Sequence, residues 1–372
     1  MKEIPLSVPH LNGNEWEYIK ECLDTNWVSS AGKYVDKFEN DLAEYIGSKK
    51  AVATVNGTAA IHIALKILGV EAGDKVLVPA LTFIASVNPV AYCGANPIFV
   101  DSELDTYNME PVKLEAKITE LINKGQKPKA VIVVHLYGQP AKIKEIAAIC
   151  DKYDIYLIED ATESLGSKSN EQMTGTFGDI GCFSFNGNKL ITTGGGGMLV
   201  TDNNQWAEKA RYLTTQAKDD AVQFIHNEVG YNYRLTNIQA AMGVAQLEQI
   251  DEFIEKKREI NNFYYENLNL LDGITVTREL DNVYSNYWLS TILVDENEFG
   301  MDSKSLYKKL RNEGIMVRPF FKPINEMPMY IDNSFSGENT KKLWEEGICL
   351  PSSVNIKREE MVYIIESIKN II

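Results

Sequence analysis

From residue 50 onward the chain alternates between two hydrophobic patterns. Short runs are apolar at nearly every position: Ala51-Val-Ala-Thr-Val55, Lys75-Val-Leu-Val78, Pro97-Ile-Phe-Val100, Ala130-Val-Ile-Val-Val134, Ile155-Tyr-Leu-Ile158 and Ile180-Gly-Cys-Phe-Ser-Phe185. Between them lie stretches with helical spacing, an apolar one over Ala59 to Leu68 and others near 82–93, 111–124 and 140–153. Strands apolar on both sides must be covered on both faces, so the pattern predicts an α/β fold with a mostly parallel central sheet. In such sheets ligands sit at the carboxyl ends of the strands.

The flanks read differently. Residues 1–14 form an extended arm ending at Asn12-Gly13-Asn14, followed by a helix on Trp16, Ile19, Cys22 and Leu23. After the polar loop Trp27 to Lys33, an amphipathic helix carries Tyr34, Val35, Phe38, Leu42, Tyr45 and Ile46, with Gly47 closing it. Beyond the strand Gly197-Met-Leu-Val-Thr201 come a helix over 204–215, a polar stretch from Ala217 to Glu228 read as a mobile loop, and one long helix over 236–268 leading out of the domain. The remainder mixes strands (274–277, 287–294), a helix (303–313), the loop Val317-Arg-Pro-Phe-Phe321 and a final helix (357–370). The expected organisation is an arm (1–14), a large α/β domain (15–245) and a smaller α+β domain (246–372).

Composition narrows the function. The chain has 372 residues, 44% hydrophobic and 24% charged, enough for about two domains. A net charge of -15 without basic stripes argues against nucleic acid or an anionic membrane as partner. The start lacks an apolar leader core and no stretch approaches a membrane span, so the expected location is cytoplasmic. Cys22, Cys93, Cys150, Cys182 and Cys349 are scattered without a CxxC, and His10, His62, His135 and His226 lack ligand spacing, so no metal or disulfide framework is expected.

The chemistry gathers at the predicted strand ends. Lys189 stands in Ser184-Phe-Asn-Gly-Asn-Lys-Leu-Ile-Thr-Thr-Gly-Gly-Gly-Gly-Met198, between two apolar strands and before four glycines that allow close backbone approach. Glu159-Asp160 ends another strand, where a carboxylate serves equally to cap a helix starting at Ala161. A lysine and an aspartate at opposite ends of an aromatic cofactor are what pyridoxal phosphate (PLP) requires: the lysine forms the Schiff base, and the carboxylate keeps the ring nitrogen protonated. Asn56-Gly57-Thr58, opening an apolar helix, offers free N–H groups, a hydroxyl and a helix N-terminus to a phosphate, though it also reads as a plain capped turn. Phe83 suits a stacking aromatic or a core residue, and Ser184 suits a phosphate contact or an ordinary strand serine.

Taken together, Asn56-Gly-Thr58, Thr82-Phe-Ile-Ala-Ser86, Glu159-Asp-Ala-Thr-Glu-Ser164, Gly178-Asp-Ile-Gly-Cys-Phe-Ser-Phe-Asn-Gly-Asn-Lys189, Gly230-Tyr-Asn-Tyr-Arg234, Ile238-Gln-Ala-Ala-Met-Gly243 and Gln246-Leu247 resemble the DegT-type nucleotide-sugar aminotransferases. The resemblance spans nearly the whole chain. It implies a fold-type-I PLP enzyme working as a homodimer with active sites at the subunit interface. It also implies Lys189 as the Schiff-base lysine, Asp160 as partner of the pyridine nitrogen, Phe83 as the stacking ring and Glu163 near the phenolic oxygen. Gly57, Thr58, Ala59 and Ser184 match phosphate ligands, and Asn232 matches an asparagine reaching the partner subunit's phosphate. Arg234 faces the sugar nucleotide or anchors its loop, and Arg318 is a candidate for substrate anions. Where many relatives carry proline or an aromatic before the lysine, this chain has Asn186-Gly-Asn188, and Thr162 stands where alanine is common. The Asn-Gly-Asn-Lys version is similar to the branch that aminates a UDP-linked 4-keto-6-deoxy-N-acetylhexosamine on routes to bacillosamine or legionaminic acid.

The implied reaction is ping-pong: L-glutamate leaves its amino group on the cofactor, and a nucleotide-linked keto sugar collects it at C4, with GDP-linked or C3-keto sugars as alternative acceptors. Three rival readings fit less well. A PLP-dependent sugar dehydratase replaces the lysine by histidine, a non-catalytic regulator has no need of intact Lys189 and Asp160, and a nicotinamide dehydrogenase wants GxGxxG where this chain has Asn-Gly-Thr.

Overall fold

The computed structural model describes residues 3–220, 222–332 and 334–370. Met1 and Lys2 of the expected arm and Ala221 of the expected mobile loop lie outside them. Nine strands come from the first 201 residues: β1 (Lys50–Thr54), β2 (Lys75–Pro79), β3 (Asn96–Val100), β4 (Ala130–Val134), β5 (Tyr156–Asp160), β6 (Lys168–Ser169), β7 (Gln172–Met173), β8 (Ile180–Ser184) and β9 (Gly197–Thr201). Seven of them form the central sheet in the order β1-β9-β8-β5-β4-β2-β3. Its ladders are parallel except those of β9, which pairs antiparallel with both β1 and β8. The loop 185–196, which carries Lys189 and runs into the glycines, reverses the chain, so β9 returns alongside β8.

Strand alternation sorts the core into two layers. Val76, Val78, Ala130, Ile132 and Ile158 pack with the helices Gly57–Ile67 and Asn204–Thr214 on one face. Leu77, Val131, Val133 and Leu157 pack with Pro111–Asn123 and Ile143–Tyr153 on the other. That second face continues under Phe183 and Met198, where Lys33–Ile46 and Asn237–Leu247 close it. Each such buried Val, Leu or Ile side chain contributes about 1.5–3 kcal/mol relative to exposure.

Several expectations need correction. The helix near 82–93 is a 3₁₀ turn, Ile84–Ser86, and a short helix, Asn88–Tyr92, because Pro89 sits at its start. The helix over 236–268 is two, Asn237–Leu247 and Ile250–Leu268, broken at Glu248 and Gln249 without any glycine or proline. In the first helix, Glu15–Asp24, Cys22 is buried but Trp16 is 83% exposed, so Trp16 faces outward. No helix starts at Ala161, which opens a turn.

The rest of the chain supplies β10 (Ile274–Val276), β11 (Val283–Tyr284), β12 (Ser290–Val294), β13 (Arg318–Pro319) and β14 (Gly347–Leu350). Four of these form a second sheet, β10-β12-β14-β13, over a core of Ile260, Tyr264, Ile292, Leu306, Leu310 and Ile364. The fifth, β11, pairs with β6 and so ties the C-terminal part to the large sheet's periphery. The break at 248–249 does not separate the two cores: Ile250, Phe253 and Ile254 still pack on the large one, and Ile260, Tyr264 and Leu268 on the second.

Candidate active site

Adjacent carboxylates at the end of β5 point to opposite sides of the sheet. Glu159, fully buried, accepts from the backbone N–H groups of Gly175 (2.8 Å), Phe177 (2.6 Å) and Gly178 (2.7 Å) and lies 2.9 Å from His135 Nε2. His135 Nδ1 accepts the Ala141 N–H, so Nε2 carries the proton that Glu159 takes. That carboxylate is saturated and structural. Asp160 faces a cavity instead, its Oδ2 accepting from Ser86 Oγ at 2.6 Å and its Oδ1 from the Thr162 N–H at 3.2 Å.

The cavity, of about 890 Å³, opens at the carboxyl ends of the parallel strands. Lys189 enters it from the loop after β8, with Nζ 3.3 Å from Glu163 Oε1 and 4.1 Å from the centre of the Trp288 ring. Glu163 is buried and accepts the Tyr137 N–H at 2.8 Å, which Tyr137 can present because it holds a left-handed backbone, φ 56°. Burial pushes the Glu163 carboxyl up, and Asp160 adds to this; the Lys189 charge and the Tyr137 N–H oppose it.

Across the cavity the helix Gly57–Ile67 presents its N-terminus. Asn56 caps it, its Oδ1 accepting the Ala59 N–H at 2.7 Å. Ala59 is therefore not one of the free donors, and it is buried; Gly57 and Thr58 line the cavity with Ser184. A Cβ on Gly57 would stand 2.9 Å from the Ser184 Cβ and 3.1 Å from the Thr162 methyl, so the cradle requires glycine. Phe83, 52% exposed, lines the same space with its ring 5.6 Å from that of Phe321.

Two other expected residues, Arg234 and Asn232, lie elsewhere. Arg234 is turned inward, its guanidinium paired with Glu39 and 3.3 Å from the Ala53 carbonyl, which is the anchoring arrangement. Asn232 is exposed and bridges to Thr215, outside the cavity of its own chain. Arg318 on β13 does line the cavity, together with Arg311. Sequence reasoning missed Arg311, which looks like an ordinary surface helix position, and Trp288, 99 residues beyond Lys189 with no motif around it. The arm contributes too, as Ser7 Oγ donates to the Asn188 carbonyl at 3.2 Å.

The donor set fits PLP part by part. Lys189 suits the aldehyde, Asp160 the ring nitrogen, Phe83 the ring face, and Gly57, Thr58 and Ser184 the phosphate. Fold and site together define a fold-type-I PLP-dependent enzyme. Over residues 9–369 the sequence matches the DegT/DnrJ/EryC1/StrS aminotransferase family, and the chain belongs to that family. It is 45% identical over 370 residues to the "Putative pyridoxal phosphate-dependent aminotransferase EpsN" of Bacillus subtilis (strain 168), covering 98% of this chain and 95% of EpsN. It is 44% identical over 368 residues to the GDP-perosamine synthase of Escherichia coli O157:H7, covering 99% and 98%. Among solved structures, Helicobacter pylori PseC, an aminotransferase involved in the biosynthesis of pseudoaminic acid, superposes with a TM-score of 0.92 at 25% identity, covering 99% of both chains. The chain is thus a PLP-dependent sugar aminotransferase. No helix among the described residues is long and apolar enough to cross a membrane.

Proposed function

We propose that the chain moves the amino group of L-glutamate to the C4 ketone of a 4-keto-6-deoxyhexose carried on a nucleoside diphosphate. The observation that carries this reading is the meeting of Lys189 Nζ, Glu163, Asp160 and the Gly57–Thr58 helix start in one open cavity. PLP supplies an aldehyde for amine exchange and a ring that takes up the electrons of a breaking C–H bond. The protein does the rest. Gly57 and Thr58 N–H groups with Ser184 Oγ bind the phosphate at the positive end of a helix. Asp160, steadied by Ser86, would hold a proton on the ring nitrogen, and Glu163 would be the partner for the phenolic oxygen. Lys189 Nζ takes the proton from the donor's Cα and returns one to C4 of the sugar. Arg318 and Arg311 offer cations at the mouth to the carboxylates and diphosphate of the substrates.

The reading includes a homodimer in which Asn232 completes the second copy's phosphate site. Exposed Trp16, Trp27, Phe224 and Val229 supply apolar surface for such a contact.

The name of the E. coli relative supports a GDP-linked acceptor, and the Asn186-Gly-Asn188-Lys189 run supports a UDP-linked N-acetylated one. Incubating the PLP-loaded chain with glutamate and each 4-keto sugar nucleotide, followed by mass spectrometry, separates them. One of the two should yield a 4-amino sugar nucleotide and 2-oxoglutarate. Amination of neither, or of a C3 ketone alone, overturns the reading.

A further inference from the structure

A lysine that serves both as covalent anchor and as proton carrier is released from its bond in every cycle. Its flexible four-carbon chain then has rotamer freedom to lose before the ammonium can act at one point. The surroundings of Lys189 Nζ look built for that free state. A carboxylate oxygen of Glu163 stands 3.3 Å away, and the face of the Trp288 indole lies 4.1 Å from it at ring centre. A carboxylate beside an aromatic face, both withdrawn from solvent, is the chemistry that recognises an alkylammonium ion.

Both walls are fixed from behind. Trp288 is 3% exposed, and its Nε1–H donates to the Asn188 carbonyl, one residue before the lysine, at 2.7 Å. Its backbone N–H donates to Asn286 Oδ1 at 2.8 Å, and the Asn286 amide donates to the Glu163 carbonyl at 3.0 Å, so one asparagine sets the spacing of the two walls. Lys257 Nζ, buried, donates to the Trp288 carbonyl at 2.9 Å. Gly138, at φ 95°, leaves room for this turn: a Cβ there would stand 2.0 Å from Asn286 Oδ1 and 2.7 Å from the Trp288 nitrogen. The other charged groups lining the cavity are Glu3, Asp160, Arg311 and Arg318.

We propose that Trp288 and Glu163 form a seat for the ammonium of Lys189 whenever that lysine is not bonded to cofactor, with Trp288 as a positioning residue. The inference rests on Lys189 being the residue that PLP joins, and it adds a ligand class to that site: a primary alkylammonium.

Removing the lysine side chain leaves the seat open to such an ion. In cofactor-free Lys189→Ala protein, ethylammonium should bind, read by tryptophan fluorescence and by a rise in melting temperature, while ethanol should not. In Lys189→Ala/Trp288→Leu the affinity for ethylammonium should fall roughly tenfold, and in Lys189→Ala/Trp288→Phe by less, because a phenyl face still attracts a cation. Lys189→Ala/Trp288→Met stands in if the leucine variant does not fold. Equal ethylammonium affinity with and without the aromatic ring, or no binding to Lys189→Ala, overturns the seat. Borohydride reduction of the PLP-loaded natural chain tests the underlying reading separately. Label away from Lys189 overturns that reading, whereas label on Lys189 with affinity indifferent to residue 288 overturns the seat alone.

Discussion

Lys189 and Lys257 are both withdrawn from solvent, and Trp288 touches both, yet their surroundings differ in kind. Lys189 lines an open cavity and meets a carboxylate and an aromatic face. Lys257 is fully enclosed and donates to two backbone carbonyls, those of Trp288 and Ser352. Burial pulls the Lys257 ammonium down to about 7, so acidity alone would nominate it as a reactive lysine. Access decides otherwise. A perturbed acidity marks a buried charge, and reactivity also needs room for a substrate and groups that answer its charges.

The largest expected effect is at the open lysine. Lys189→Ala should abolish the visible absorbance of bound PLP and lower transamination by at least about a thousandfold, measured as 2-oxoglutarate released from glutamate. Asp160→Asn, which keeps the shape but loses the charge facing the ring nitrogen, should lower turnover on the order of a hundredfold while PLP still binds. Gly138→Ala should destabilise the chain by ~1–3 kcal/mol in urea unfolding, since the left-handed backbone and the close approach of Asn286 both refuse a methyl group. The smallest effect on turnover belongs to the closed lysine. Lys257→Met should change the rate less than about tenfold, the change arising only through Trp288.

Lys257 should be seen in stability instead. Its folded value of about 7 lies below the ordinary 10.5, so between them the unfolded chain binds more protons than the folded one. Lys257 therefore opposes folding fully below about pH 7, and its contribution to stability rises from there toward pH 10.5. Urea unfolding across that range should show this rise in the natural chain and its loss in Lys257→Met, whatever the offset from the two carbonyls left without a donor.

What the sequence disclosed followed physical scale. Strands β1 to β5 and β8 announce themselves because burial on both faces demands unbroken apolar runs, and Asp160 and Lys189 stand at their ends. The capped turn at Asn56-Gly-Thr58 is legible for a different local reason, a polar side chain just before an apolar helix, although its use of the Ala59 N–H is not. The reversal of β9, the break at Glu248–Gln249, the pairing of Arg234 with Glu39 and the approach of Trp288 to Lys189 are set by contacts between residues distant in the chain. No local propensity encodes them. Glu159 and Asp160 look alike in sequence, and only strand alternation, with His135 on one side and the cavity on the other, separates a carboxylate tied into the fold from one that faces the cavity.

The most direct test of the central claim is to load the purified chain with PLP, reduce it with borohydride and locate the added mass by peptide mapping. One pyridoxyl group, on Lys189, is the expected result. A pyridoxyl group on Lys257 or another lysine, or no covalent label at all, would contradict it.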